Sequence, residues 1–185
     1  MDCSNTKTRE TIITKGNKIQ EQGESFIQTK IISSISITLI QLVSENRSQP
    51  DYKSKLKLQI HSPFTSLSIP SISLSDYLHR IWKYSKMDES SLIFALVYID
   101  RICKNKNLIL TEFNVHRILF SSILIAIKFN EDKFFTNKYY SKIGGMELKQ
   151  LNEMEMEFLV AINFHMFIEN KLFEKYKRNL CIQSE

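Results

Sequence analysis

The sequence predicts an all-α fold, and three observations carry that prediction. Glycine and proline are scarce, at 4 and 3 of 185 residues, whereas strand-rich and turn-rich folds use more of both. Apolar residues recur at spacings of three and four along most of the chain, and no stretch offers a strand candidate of any strength. With 43% hydrophobic and 24% charged residues, the composition is that of a globular chain long enough to bury one core plus an appendage.

Residues 1–23 are polar and aperiodic, and a flexible N-terminus is expected there. Residues 24–62 read as an amphipathic helix followed by a linker. Phe26, Ile27, Ile31, Ile35, Leu39, Leu42 and Val43 share one face of that helix. Its Ile, Ser and Thr content lowers helix propensity, so the segment needs a surface to pack on. The linker, from residue 46 to residue 62, has a polar, lysine-containing middle.

The main bundle is expected over residues 63–181. Its first helix starts after Pro70, with Ser73 and Asp76 spaced as a capping box and Tyr77, Leu78, Ile81 and Trp82 on one face. The second starts near Asp88 or Ser90, runs through Ile93, Leu96, Val97, Ile99 and Ile102, and closes on Lys104 and Lys106, where cations suit the helix dipole. The third starts near Thr111. From Ile118 to Phe129 only Ser121, Ser122 and Lys128 are not apolar, and a helix apolar on all sides must be surrounded by other helices. A short fourth helix, Asn137 to Ile143, stops at Gly144-Gly145. The fifth, from about Glu147 to Asn163, turns Leu148, Leu151, Met154, Phe158, Leu159 and Ile162 inward, and a last helix from Asn170 to Leu180 carries Leu172, Phe173 and Tyr176. The architecture is therefore a five-helix bundle around a buried central helix, flanked by N- and C-terminal helices.

Several function classes drop out. The net charge of +5 is spread without a run of five or six cations, which favours a solvated surface over nucleic-acid binding. Cys3, Cys103 and Cys181 are odd in number and far apart, which fits neither a zinc site nor a disulfide framework and favours a reducing, intracellular location in cytoplasm or nucleus. Met1 to Gln22 has no apolar signal region, and Ile31 to Val43 is too short and too polar to span a bilayer, so no membrane partner is expected. No glycine-rich phosphate loop, HExxH, CxxC or GxSxG pattern occurs. His61, His79, His116 and His165 stand singly, and Glu153, Glu155 and Glu157 alternate so that they cannot share one helical face. No enzyme activity, metal, cofactor or small-molecule substrate is expected.

Motif strings then point to a family. Pro70-Ser71-Ile72-Ser73-Leu74-Ser75-Asp76-Tyr77-Leu78-His79-Arg80-Ile81, Tyr98-Ile99-Asp100-Arg101, Phe113-Asn114-Val115-His116-Arg117, Ala126-Ile127-Lys128-Phe129 and the run from Asn137 to Gly145 follow one another, ahead of Leu151 to Leu159. In that order and spacing they resemble a cyclin box of the phosphate-regulon branch, the P- or U-type cyclins, over roughly Phe64 to Leu180. The resemblance implies a single five-helix box that binds a cyclin-dependent protein kinase and holds its C-helix in the active position. It places a kinase-gripping Lys at Lys128 and a gripping Glu at Glu155. Periodicity alone leaves Lys128 as a cap of its own helix and Glu155 as a solvated helix residue. Phe129, Phe134, Phe135, Tyr139 and Tyr140 are expected to add apolar contact to the kinase, or else to pack within the domain. Asp100, Arg101, Arg80, His116 and Arg117 are expected to determine the fold, with Asp100 buried and paired to Arg80 or Arg101.

Two departures narrow the resemblance. Helix one reads Asp76-Tyr77-Leu78-His79-Arg80-Ile81-Trp82 rather than the Met-Arg-x-x-Leu-x-x-Trp docking patch of cell-cycle cyclins, and the chain leaves no room for a second cyclin fold. The competing readings are a cyclin-like scaffold that binds without activating and a nucleic-acid-binding helical module of the transcription factor IIB type.

Overall fold

Every regular element in the computed structural model, which describes residues 29–182, is helical. The order is α1 (residues 29–47), α2 (Tyr52–Leu58), α3 (Leu74–Ser85), α4 (Glu89–Lys106), α5 (Val115–Asn130), α6 (Asn137–Gly144), α7 (Leu148–Ala161) and α8 (Asn170–Ile182). The expected flexible stretch, residues 1–23, lies outside the described residues, as do Phe26 and Ile27.

The all-apolar helix is the hub. Every residue of α5 from Ile118 to Ile127 is buried. Its broadest contact is with α4, while α7 and α3 close other sides, α6 bridges α3 to α7, and α8 packs on α4. Each large apolar side chain removed from water in this way contributes roughly 1.5–3 kcal/mol. The two hydroxyls inside the hub stay bonded, Ser121 Oγ donating to the Arg117 carbonyl at 2.9 Å and Ser122 Oγ to that of Leu119 at 2.8 Å.

α1 supplies the surface contact that its weak propensity requires. Ile31, Ile32, Ile35, Leu39 and Val43 are buried, whereas Leu42, expected on the same face, is exposed. Ser36 Oγ donates to the Ile32 carbonyl at 2.8 Å, so a hydroxyl enters the core without stranding a donor. The helix is pinned at its end by Asn46, which donates to the Leu110 carbonyl at 3.0 Å, and by Arg47, 2.9 Å from Glu112. The stretch read as a linker contains α2. That helix buries none of its own residues and is held by Tyr52, whose hydroxyl donates to Glu112 at 3.2 Å, so no apolar stripe announced it.

Helix ends follow the local chemistry. Ser73 caps α3, accepting from the Asp76 N–H at 3.0 Å and donating to the Asp76 carboxylate at 2.6 Å. α5 starts at Val115 rather than near Thr111, because Asn114 Oδ1 takes the Thr111 N–H at 2.8 Å and closes a turn ahead of the helix. Gly145 ends α6 in the left-handed region at φ 68°, and Gly144 packs on the Phe120 ring so tightly that a Cβ would lie 2.6 Å from it. Leu148, expected inward at the start of α7, is exposed.

The charged residues expected to shape the fold divide into two groups. Arg101 donates to the carbonyls of His165 at 2.6 Å and Phe167 at 2.9 Å and so fixes the α7–α8 joint. Arg117 donates to the Pro63 carbonyl at 3.0 Å, and His116 Nε2 lies 3.1 Å from that of Ile72. Asp100 is a correction. Its side chain is 43% exposed, and its cation is Lys104, one turn along at 2.7 Å, with the Tyr176 hydroxyl at 3.1 Å. Arg80 lies over the Tyr77 ring, its guanidinium carbon 5.0 Å from the centroid. Because Asp100 reaches water, it needs no buried guanidinium.

A carbonyl can only accept, so the His116 ring must carry its proton on Nε2, and Nδ1 is then a buried acceptor with no partner. Burial pushes its pKa below the ordinary 6.5. The unfolded chain therefore takes up this proton first as pH falls. The stabilisation from neutral His116 is complete above about 6.5 and is lost between 6.5 and the depressed folded value. Urea midpoints measured from about pH 7 down to about pH 5 should fall more steeply for the wild type than for His116→Gln, which does not titrate there.

Candidate functional site

Lys128 stands in the last turn of α5, immediately after the buried run ends at Ile127. Glu155 stands in the middle of α7, which packs against α5. Their side chains meet: Lys128 Nζ lies 2.6 Å from Glu155 Oε1, with side-chain exposures of 27% and 17%. The second carboxylate oxygen is also held. Asn137, the first residue of α6, donates through Nδ2 to Glu155 Oε2 at 2.7 Å and to Asn152 Oδ1 at 2.8 Å. Three helices thus converge on one carboxylate, two of its contacts coming from elements 18 and 27 residues away in sequence.

The alternation of acids on α7 now has a geometric meaning. Glu153 turns away and lies 4.0 Å from Lys149, and Glu157 lies 3.8 Å from Lys106 on α4. Only Glu155 faces α5. Lys128 spends its ammonium on Glu155 rather than on the carbonyls of its own helix end, where Asn130 Nδ2 donates to the Ala126 carbonyl at 2.7 Å.

Apolar rings surround this end of the bundle. Phe129, Phe134, Phe135 and Tyr139 are exposed, Phe129 at 52%. Phe135 and Tyr139 lie with ring centroids 4.3 Å apart, and the Tyr139 hydroxyl donates to the Tyr84 carbonyl at 3.0 Å. Tyr140 is a correction to the expected contact set. It is 1% exposed, because one residue further along α6 turns the side chain by about 100° into the core, where its hydroxyl accepts from the Phe135 N–H at 3.3 Å. Asn137 and Asn152 lie within the motif strings that begin at Asn137 and Leu151, but nothing in those strings singled them out as site residues. Met156 and Val160 on α7 are exposed as well.

Such an arrangement suits recognition. An ammonium has three donors and a carboxylate about four acceptor positions, so each can keep its partner and still bond to backbone groups of an incoming protein. Among the described residues no three His, Cys, Asp or Glu side chains gather as metal ligands, and no helix is long and apolar enough to cross a membrane.

The cyclin family model matches residues 25–166, three quarters of the sequence and all of α3 to α7. The chain belongs to the cyclin family. This cyclin is 33% identical over 165 residues to Cyclin-U4-3 of Arabidopsis thaliana, covering 89% of this chain and 73% of the relative. It is 40% identical over 114 residues to Cyclin-U2-1 of the same plant, covering 61% and 51%. It is also 32% identical over 182 residues to the PHO85 cyclin-like protein psl1 of Schizosaccharomyces pombe, covering 90% and 74%. The likeness to the phosphate-regulon branch read from the motif strings is borne out by these relatives, and the all-α cyclin box by the helices.

The Lys128–Glu155 pair is partly desolvated, so its loss should be felt in the free protein. Lys128→Ala leaves a carboxylate with one neutral donor and should lower the unfolding free energy by about 1–2 kcal/mol. Lys128→Ala/Glu155→Ala should cost less than the two single changes together, and a double-mutant cycle by urea unfolding measures that difference.

Proposed function

We propose that this cyclin is the regulatory, non-catalytic subunit of a cyclin-dependent protein kinase, and that it holds the kinase C-helix in its active position. The single observation that carries the reading is the Lys128–Glu155 pair, lodged between α5 and α7 and ringed by exposed aromatics. The name of the fission-yeast relative, a PHO85 cyclin-like protein, supports a kinase of that kind as partner.

The mechanism is a population shift. A kinase needs its C-helix swung in so that the helix glutamate pairs with the catalytic lysine. A cyclin that binds this conformer more tightly draws the kinase toward it. Driving a two-state kinase from almost fully off to almost fully on takes about 5.5 kcal/mol of differential affinity. Two charge-assisted contacts, at roughly 1.5–3 kcal/mol each, reach that only at the very top of their range. Phe129, Phe134, Phe135 and Tyr139 supply the apolar area for the remainder. In this reading Lys128 and Glu155 bond to backbone groups at the ends of the C-helix, while Asn137 keeps the carboxylate aimed. Cys103, whose thiol burial pushes to about 12, stays protonated and unreactive, which suits an intracellular protein.

Affinity capture of the tagged chain from cells, followed by a kinase assay, tests the proposal. A cyclin-dependent kinase should co-purify, and Lys128→Ala/Glu155→Ala should reduce the recovered kinase activity by at least about 10-fold. Absence of any such kinase, or full activity with the double variant, contradicts it.

A further inference from the structure

A cavity of about 370 Å³ lies between α1, α4 and α8, and none of its lining residues belongs to the Lys128–Glu155 site. Leu39 of α1, Ile99 of α4, Leu110 of the loop before α5 and Leu180 of α8 line it as buried apolar side chains. Leu96 and Leu108 complete the walls. An apolar cavity of only ~150 Å³ already admits benzene. Small-molecule sites run from roughly 300 Å³ upward, with mostly apolar walls and a few polar groups that fix orientation.

The polar groups here are few, and their chemistry is one-sided. Asp100, Tyr176, Asn46 and Cys103 line the cavity. Asn46 is engaged, its Nδ2 donating to the Leu110 carbonyl at 3.0 Å. Burial pushes the Cys103 thiol and the Tyr176 hydroxyl up to about 12 each, so both stay neutral. Among the described residues, Asp100 is the one charged side chain that lines the space.

The carboxylate is also accessible to a newcomer. The Tyr176 hydroxyl and the Lys104 ammonium both meet Asp100 Oδ2, at 3.1 and 2.7 Å, and no hydrogen bond among the described residues reaches Oδ1. Lys104 is 73% exposed, and an ion pair of that kind contributes little. An ammonium carried on an apolar body can share the carboxylate through Oδ1 or displace Lys104 from it.

We propose that the cavity between α1, α4 and α8 binds a small amphiphilic amine, its apolar body among the leucines and Ile99 and its ammonium on Asp100. Two observations choose that class. The walls favour apolar area, and the single charge beside them is negative. An anion of the same shape is repelled, and a neutral analogue forgoes the charge-assisted bond. Occupancy ties both flanking helices, α1 and α8, to α4.

Methyl NMR titration of the full chain with phenethylamine, phenethyl alcohol and phenylacetate, which share one aromatic body, tests the assignment. Phenethylamine should shift the methyls of Leu39, Ile99, Leu110 and Leu180. Those of Ile40 and Ile72, which line a separate cavity between α1 and the entry to α3, should stay unchanged. The amine should bind at least about 5-fold more tightly than the alcohol, and phenylacetate more weakly than either. Asp100→Asn should remove the preference for the amine, whereas Glu153→Gln, the same charge change on α7, should alter its affinity by less than about 2-fold. The two altered side chains are 43% and 55% exposed, and circular dichroism checks that both variants remain folded. No binding of phenethylamine, shifts centred on Ile40 and Ile72, equal affinity for amine and alcohol, or a preference that survives Asp100→Asn would overturn the assignment.

Discussion

The enclosure of α5 is the constraint on which the rest of the molecule depends. A helix that is apolar from Ile118 to Ile127 on every side has no stable state until other helices cover it, and α3, α4 and α7 are arranged as that cover. The neighbours then need each other. α6 fills the gap between α3 and α7, and Gly144 is present there because the Phe120 ring of α5 leaves no room for a Cβ. The enclosed helix also decides where the site can be. Burial ends at Ile127, so the next side chain, Lys128, leaves the core at a fixed height and direction.

That exit point sets the position of the polar pair. The ammonium of Lys128 emerges where α7 presents Glu155, and Asn137 at the start of α6 takes the other carboxylate oxygen. Three elements that meet because of the core thereby fix one polar pair to within hydrogen-bond geometry. A pair held in this way loses little conformational entropy when a partner arrives, which is where preorganised groups gain affinity. The surrounding exposed rings provide area that a lone ion pair lacks.

The sequence was most informative where burial imposes a period. The hub, the Ser73 cap, the Gly144-Gly145 stop and the order of helices were all legible, because each rests on a local rule. Lys128 and Glu155 were legible through motif resemblance and not through periodicity, since nothing in a 3.6-residue repeat shows that α5 and α7 bring them together. Asn137 and Asn152 lay within the motif strings but were not singled out, because they act across the α6–α7 contact. Tyr140 was placed with its neighbours Tyr139 and Phe135 by composition, and a single step of about 100° along α6 sent it into the core. Asp100 was expected to need a buried cation because its neighbours are apolar, yet it faces the rim of α4 where Lys104 lies one turn away. α2 was missed because it buries nothing of its own and is held by polar contacts, the Tyr52 hydroxyl on Glu112 and the Thr65 hydroxyl on the Gln59 carbonyl.

Hydrogen–deuterium exchange of the chain, alone and mixed with a cyclin-dependent kinase, tests the central claim most directly. The account predicts new protection at the end of α5, the start of α6 and the middle of α7, with little change in α1 and α8. Protection confined to α1 or α8, with the Lys128–Glu155 region unchanged, would contradict it.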